Sequence, residues 1–361
     1  MRKIENLRKN IDAIDLNILK LLNERATLAV EIGREKKEKN VSCYVPEREK
    51  EVISNLMERN AGPLSNDAIK GLYREIMSAS RSLEEPLKIA YLGPIATFTH
   101  LAAIRHFGSS ANFVPADSIK GVFEEVESGR AAYGVVPIEN SNEGVVNYTL
   151  DMFIDSDLLV AGEMMLEISQ NLLSLSGDLS RVKRIYSFLP ATAQCKEWLK
   201  KNAPGAQVID PGGSTAQAAE IASKDEEAAA IAGEAAAGIY NLKFVARDVQ
   251  DGKHNFTRFL VISKAYPGKT GRDKTSIMFS VKDRPGALYD ILAPLKKVKI
   301  NLTKIESRPS KRKAWEYIFF VDMRGHIQDK SLHKAIEAIK KDCLFLKILG
   351  SYPMVDDDKS P

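Results

Sequence analysis

The stretch IENLRKNIDAIDLNILKLLNERATLAVEI, residues 4–32, decides how the first part of this chain folds. Its apolar residues Ile4, Leu7, Ile11, Ile14, Ile18, Leu21, Leu28 and Ile32 recur with heptad spacing, which predicts one helix from residue 4 to about 38. At about 1.5 Å per residue such a helix spans roughly 50 Å. A seam that long finds no partner inside three helices of ~85 residues, so an intertwined homodimer or larger homo-oligomer is the expected way to bury it. Pro46, suited to a first helical position, opens a second helix that stops at Asn60-Ala61-Gly62-Pro63. A third helix, Ser65 to Leu83, turns Ile69, Leu72, Tyr73 and Ile76 inward. The all-helical domain is assigned to residues 1–85.

Polar residues interrupt this apolar pattern where a ligand would explain them. Arg25 occupies a seam position between Ile18 and Ile32, and no acid sits at a neighbouring seam position before Glu35. Arg8 and Lys36 share a flanking column, Arg48 opens the second helix, and Ser80 and Glu84 continue the inward stripe of the third. Converging cations suit a small di-anion, because guanidinium groups bind carboxylates in bidentate fashion. The competing structural reading is that each arginine pairs with an acid of another subunit.

From Leu87 the pattern becomes short apolar runs, KIAYLGP, AAYGVVP, RIYSF, AQVIDPGG and AAAIAG, each followed by a helical stretch. That is α/β grammar, with length enough over 87–266 for two lobes and a cleft between them. Helix starts at GPIATFTH, SFLPATAQC and PGGSTAQAAE present backbone N–H groups suited to a carboxylated ligand, although capping alone explains any one of them. Residues 274–353 read strand, helix, strand, strand, helix, strand, a ferredoxin-like βαββαβ order. The DDDKSP tail is expected to be disordered.

Composition excludes several function classes. Hydrophobic residues make up 44% and charged residues 28%, with both signs interspersed, so the net charge of +4 implies no nucleic-acid partner. No apolar run approaches the length of a membrane span, and the N-terminus does not read as a secretory leader. Cys43, Cys195 and Cys343 are far apart, which fits unpaired thiols in the cytoplasm. The histidines form no ligand cluster, no GxGxxG follows a strand, and Ser263 stands where the Gly268-Lys269-Thr270 triplet needs a P-loop glycine. Neither a metal nor any other cofactor is expected.

The cation pattern of residues 1–85 resembles the all-helical chorismate mutases. The resemblance implies that Arg8 from a second subunit, Arg25 and Arg48 bind the substrate carboxylates with Ser80 assisting. It further implies that Glu49 accepts from the substrate hydroxyl, and that Lys36 and Glu84 act on the ether oxygen. Such an enzyme confines chorismate to its reactive chair and stabilises charge developing on that oxygen. Val45 and Glu84 depart from the family pattern, which often has Asp and Gln there. Glu84 donates only when protonated, so the mutase rate is expected to decline as pH rises through its titration.

VPIENSNEGVV, NFTRFLVI, YLGP…TFTH, STAQAA and AGEAAAGIYNL resemble prephenate dehydratases over the whole of 87–266. A two-lobed fold similar to type 2 periplasmic binding proteins is implied. So is a catalytic role for Thr257 as proton donor to the leaving hydroxyl, together with Glu139, Asn140 and Gln194. Thr97, Ser187, Ser214, Thr215, Arg258 and Phe259 are then expected to contact substrate, with Arg258 alternatively pairing with an acid. Ile95-Ala96 and Phe188-Leu189 depart from the family pattern. If position 96 needs a positive φ, which glycine tolerates and alanine resists, the loop is expected to differ.

DRPGALYDIL and NLTKIESRP resemble the ACT regulatory domain of phenylalanine-sensitive enzymes. Gly286, Ala287, Leu288, Asn301, Glu306, Ser307, Arg308 and Pro309 are thereby implied to line an effector site for phenylalanine. Lys299 stands where the family often has glycine. The resemblances together imply a two-activity enzyme converting chorismate through prephenate to phenylpyruvate. A binding protein that senses aromatic metabolites without turnover, and a dehydratase preferring arogenate, are the other readings left open.

Overall fold

The computed structural model describes residues 2–39, 44–84, 86–252, 254–310 and 317–355. Cys43 and the DDDKSP tail lie outside the described residues. The chain divides into two compact units, Met1–Leu87 with Phe107–Asn112, and Lys88–His106 with Phe113–Pro361.

The first unit is helical: α1 (Arg2–Glu38), α2 (Pro46–Arg59) and α3 (Asn66–Glu84). Pro46 opens α2 without a side-chain cap, and Asn60 in extended conformation ends it. The eight seam residues of α1 are 48–63% exposed, and Gly33 is its one buried residue. Leu28 and Ile32 line an open cavity of ≈ 750 Å³ beside Arg34, Lys36 and Lys39.

The second unit opens with β1 (Lys88–Leu92), α4 (Phe98–Phe107, whose last residue belongs to the first unit), β2 (Asn112–Ala116) and α5 (Ile119–Glu127). β3 (Tyr133–Asn140), β4 (Gly144–Val145), α6 (Asn147–Asp155) and β5 (Leu159–Glu167) follow. The chain then builds a second lobe from β6 (Asn171–Ser174), β7 (Arg184–Tyr186), α7 (Leu189–Gln194), α8 (Lys196–Asn202) and β8 (Gln207–Ile209). This lobe is completed by α9 (Thr215–Ala222), β9 (Ala228–Ala232), α10 (Glu234–Ile239) and β10 (Lys243–Ala246). β11 (Phe256–Ser263) returns to the first lobe, between β3 and β5.

Two sheets result, ordered β2-β1-β3-β11-β5 and β10-β6-β9-β7-β8, with β4 on β3. Each lobe therefore has its own sheet, and the chain crosses between them twice. The two crossings are hydrogen-bonded to each other, Ile168 N–H to the Asn255 carbonyl at 2.7 Å and Val249 N–H to the Gln170 carbonyl at 2.8 Å. The second lobe's core is alanine-rich (Ala216, Ala218, Ala219, Ala228, Ala230), which lets α9 lie close on β9.

The remainder is β12 (Asp273–Val281), α11 (Ala287–Lys297), β13 (Leu302–Pro309), β14 (Tyr317–Arg324), α12 (Lys330–Lys340) and β15 (Cys343–Pro353). They form an antiparallel sheet ordered β13-β14-β12-β15, the βαββαβ arrangement expected. One face of β12, through Ile277 and Phe279, packs with both helices. Met278, Ile318, Phe320, Leu349 and Tyr352 on the other face join the core of the first lobe. Covered on both faces, β12 is buried along its length without alternation, its polar residues Lys274, Thr275 and Ser276 included, and this sheet belongs to the same compact unit as the two lobes.

Ala96 adopts φ 71°. Position 96 therefore does take the left-handed conformation, with alanine in it. Packing carries the strain: Ala96 is buried against the second lobe's alanine core. Lys299 has φ 58° and is exposed. Replacing Lys299 by Gly should raise unfolding free energy by about 0.5–1 kcal/mol, the left-handed penalty less the extra freedom of the unfolded chain. Urea titration measures this, and a destabilised variant would contradict it.

Candidate functional site

In the helical unit, the C-terminal half of α1 lies along α3. Arg25 Nη1 donates to Ser80 Oγ at 2.8 Å, and Ser80 in turn donates to the Ile76 carbonyl at 2.8 Å. Two turns on, Gly33 lacks the Cβ that would sit 2.7 Å from the Glu84 carboxyl. That close approach lets Glu84 tuck against α1, with its Oε2 buried and without a hydrogen-bond partner. Lys36, half-buried, follows on α1. Arg25, Ser80, Glu84 and Lys36 therefore lie along one α1–α3 groove.

The other expected mutase residues stand apart from that groove. Arg8 is exposed on the N-terminal half of α1, and Arg48 is exposed and pairs with Glu51 at 2.7 Å. Glu49 is not free to meet a substrate hydroxyl in this arrangement, because it forms an ion pair with Arg81. Arg81 is itself buried, donates to the Phe107 carbonyl at 2.5 Å and lies 5.0 Å over the Tyr44 ring. Sequence reasoning passed over Arg81, one residue beyond Ser80 and off the inward stripe.

In the two-lobed part, amide groups join both lobes to Thr257. Asn140, ending β3, accepts backbone N–H bonds from Asn142 and Glu143 at its Oδ1, at 2.9 and 3.0 Å. Those two donors fix its amide orientation. Its Nδ2 must then donate, and it does so to Thr257 Oγ1 and to Asn255 Oδ1, both at 2.8 Å. Asn255 Nδ2 donates to Gln194 Oε1 at 2.9 Å, and Gln170 Nε2 reaches the same oxygen at 3.4 Å. Gln194 Nε2 faces Glu143 Oε1 at 3.4 Å, so the second lobe's α7 is tied to the first lobe's β3–β4 turn. Gln170 Oε1 is buried and unpartnered.

The chemical consequence is directional. Having accepted from Asn140, the Thr257 hydroxyl is left with a proton to give to whatever lies beyond it. Asn255 and Gln170, at the two crossings between lobes, were not singled out from sequence. Asn255 had a usable signal, since it sits two residues before Thr257 and strand periodicity puts both on one face.

Glu139, Arg258 and Phe259 do not join this constellation. β11 pairs Thr257 with Asn140 and Arg258 with Glu139, but Phe259 with Pro137, so Ile138 is the extra residue of a bulge in β3. The bulge re-aims the end of β3: Asn140 faces Thr257, whereas Glu139 faces away and binds Lys304 Nζ at 2.6 Å. Arg258, one residue from Thr257, points to the opposite face by the same alternation. It is buried and pairs with Glu163 and Asp322, each at 2.7 Å, so the acid-pairing alternative is what the structure contains. Lys274 adds a bond to Glu163 at 2.7 Å, and Tyr352 and Ser276 complete the cluster. Burial pushes the Asp322 carboxyl up, but Arg258, Lys274 and the Ser276 hydroxyl outweigh it and hold it below the usual carboxylate range. Phe259 is fully buried rather than presented to a ligand.

The expected anion-binding helix starts are already occupied locally. Thr97 Oγ1 donates to the Leu92 carbonyl at 3.0 Å and accepts from His100 N–H at 3.2 Å. Ser187 is buried and accepts from Thr192 Oγ1 at 2.7 Å. Ser214 caps α9 through Gln217 N–H at 3.2 Å, and Thr215 is buried behind it. Capping uses the Thr97 and Ser214 hydroxyls, while Ser187 is engaged by the Thr192 side chain, so any anion at the two capped starts meets backbone N–H groups first.

On the βαββαβ sheet, Ser280 pairs with Ile318 and Ile318 with Arg308, so the end of β12 that leads to Gly286–Leu288 at the start of α11 and the Glu306–Pro309 end of β13 lie at the same end of the sheet, with β14 between those two strands. Arg308 Nη2 binds both Asp151 oxygens, at 3.1 and 3.2 Å. Asn301 lines a separate cavity of ≈ 400 Å³ with Lys299, Leu292 and Leu295. No described helix is long and apolar enough to cross a membrane.

Comparison with known proteins follows the same three-part division. The family profile for chorismate mutase type II matches residues 7–85, that for prephenate dehydratase residues 89–267, and that for the ACT domain residues 275–341. A bifunctional chorismate mutase/prephenate dehydratase of Aquifex aeolicus is 53% identical over 357 residues, covering 98% of both chains. The Escherichia coli protein of the same name is 30% identical, covering 96% of this chain and 95% of its own. Among solved structures, a prephenate dehydratase from Arthrobacter aurescens in complex with L-Phe superposes with a TM-score of 0.69 at 33% identity, covering 76% of this chain and 92% of that one. By the order of its three parts and by near full-length similarity, the chain belongs to the family of bifunctional chorismate mutase/prephenate dehydratases.

Proposed function

We propose that this chain rearranges chorismate to prephenate in its helical domain, residues 1–85, and converts prephenate to phenylpyruvate in its two-lobed domain, residues 87–266. The observation that carries the reading is the amide chain that ends by donating to Thr257 Oγ1. Prephenate loses its ring carboxylate as carbon dioxide; the electron pair of that bond moves into the ring and hydroxide departs. Aromatisation drives the step, and the remaining need is a proton at the leaving oxygen. The Thr257 hydroxyl, oriented by Asn140, supplies that hydrogen bond or proton, while Asn255 and Gln194 hold Asn140 and the opposite lobe in register.

The mutase half needs no nucleophile. Arg25, held by Ser80, receives a substrate carboxylate, and Lys36 and Glu84 face the ether oxygen as charge develops there. The exposed α1 seam supports a homodimer in which Arg8 of a second copy completes the groove. We further take residues 274–353 as the ACT domain through which phenylalanine inhibits, by binding a state whose dehydratase cleft is less competent. The unpaired thiols of Cys195 and Cys343 fit work in the cytoplasm.

Incubating purified protein with chorismate and following products tests the whole reading. Phenylpyruvate should accumulate with transient prephenate, and its formation should fall when phenylalanine is added. Chorismate left unchanged would remove the mutase assignment, and prephenate accumulating without phenylpyruvate would remove the dehydratase.

A further inference from the structure

Between the dehydratase sheet and the ACT sheet lies an alternating square of charges. On the dehydratase side, Glu139 of β3 and Arg258 of β11 are register partners. On the other side, Lys304 of β13 and Asp322 of β14 are register partners. Lys304 binds Glu139 at 2.6 Å and Arg258 binds Asp322 at 2.7 Å, so each positive corner meets a negative one across the gap. The next rung of the β3–β11 ladder is Asn140 with Thr257. The proposed proton donor therefore stands one residue beyond a rung clamped to the regulatory sheet.

The two clamps differ in what they are attached to. Asp322 lies on an inner strand, whereas Lys304 lies on β13, an edge strand that also carries Glu306–Pro309. Alternate residues Lys304, Glu306 and Arg308 share one face, about 7 Å apart in sequence along the strand. That face is turned to the dehydratase, since Lys304 reaches Glu139 and Arg308 reaches Asp151. Any shift of β13 on effector binding must pull on Glu139 or break its ion pair. Lys304 is mostly buried, with 15% of its side chain exposed against 38% for Glu139, so water compensates the lysine less well than the glutamate when the pair breaks.

We propose that Lys304 is a positioning residue for the dehydratase: it holds the Glu139 rung, and with it the Asn140–Thr257 pair, and it transmits effector occupancy of β13 to turnover. This deepens the dehydratase and feedback readings and rests on them. Lys304 touches no substrate; it acts through Glu139. A ligand at β13 changes turnover through this link only if it binds the clamped and unclamped arrangements with different affinity.

The test uses the full chain, prephenate as substrate and L-phenylalanine as effector, with variants Lys304→Met, Lys304→Arg, Glu139→Gln, the Lys304→Met/Glu139→Gln double variant, and Asp151→Asn. Lys304→Met should lower dehydratase kcat about tenfold with KM little changed, and the remaining activity should be nearly insensitive to phenylalanine although calorimetry still detects binding. Lys304→Arg should restore both kcat and inhibition. Glu139→Gln should match Lys304→Met, and the double variant should be no worse than either, because all three remove one ion pair. Asp151→Asn removes the charge from the neighbouring Arg308 contact, leaving one oxygen to accept, and should keep wild-type inhibition. Mutase activity, unchanged throughout, reports correct folding of the helical part.

The proposal is overturned if Lys304→Met retains wild-type kcat and inhibition, if the single effects multiply in the double variant, or if Asp151→Asn loses inhibition as fully as Lys304→Met. A wild-type protein that converts prephenate but neither binds nor responds to phenylalanine would instead remove the feedback reading, and the transmission role with it; the kcat effects of the variants would then judge positioning alone.

Discussion

Thr257→Ala should lower dehydratase kcat by about 10²-fold or more, the usual worth of a positioned acid group, with KM for prephenate little changed. The loss falls on kcat because the hydroxyl is needed most as the departing oxygen gains charge. Stability should change by only about 1 kcal/mol, since Asn140 Nδ2 keeps its second acceptor, Asn255 Oδ1. Thr257→Ser retains the hydroxyl and should stay within about tenfold of wild type. Mutase activity and phenylalanine binding should survive both changes. Turnover of Thr257→Ala near the wild-type rate would remove the hydroxyl from the chemistry and leave the amide chain as lobe-bridging structure alone.

Arg25→Met should lower mutase kcat/KM by about 10²–10³-fold, the expected loss of a charge-assisted pair with a substrate carboxylate in a partly buried groove. Methionine keeps a long apolar stem and similar helix propensity, so α1 should persist. Ser80 then loses its donor but keeps its own bond to the Ile76 carbonyl, which leaves α3 intact. Dehydratase activity measured directly on prephenate should remain within about twofold of wild type, as expected for sites without shared partners. A mutase rate that hardly changes would mean that Arg25 serves only to tether Ser80.

Particular residues show why sequence carried so far and then stopped. Arg25 was legible because a cation on a heptad seam breaks a regular apolar period. Ser80 and Glu84 followed from the helical stripe, a short-range rule that holds whatever the helix packs on. Gly33 was not legible: its role is to admit the Glu84 carboxyl, a contact between residues far apart in sequence. Arg81 was missed for a similar reason, as its partners Glu49 and the Phe107 carbonyl come from distant segments.

The same limit governs the dehydratase strands. Thr257, Asn140 and Gln194 were singled out by their motifs, and the structure joins them through Asn255. Glu139 is adjacent to Asn140 and Arg258 to Thr257, so motif reading placed all four around one ligand. Strand alternation alone would have separated neighbours, but the bulge at Ile138 set which of each pair faces the lobes.

Local period and motif order were thus settled by the residues themselves: one long amphipathic helix, a two-lobed α/β stretch, and a βαββαβ sheet. Their physical basis is short-range, in side-chain spacing and helix and turn chemistry. Tertiary structure alone decided that Glu139 and Arg258 bind the ACT sheet, and that Thr257 is approached by a donor. Both depend on strand pairing and bulge position, which arise from contacts more than a hundred residues apart, beyond the reach of any local pattern.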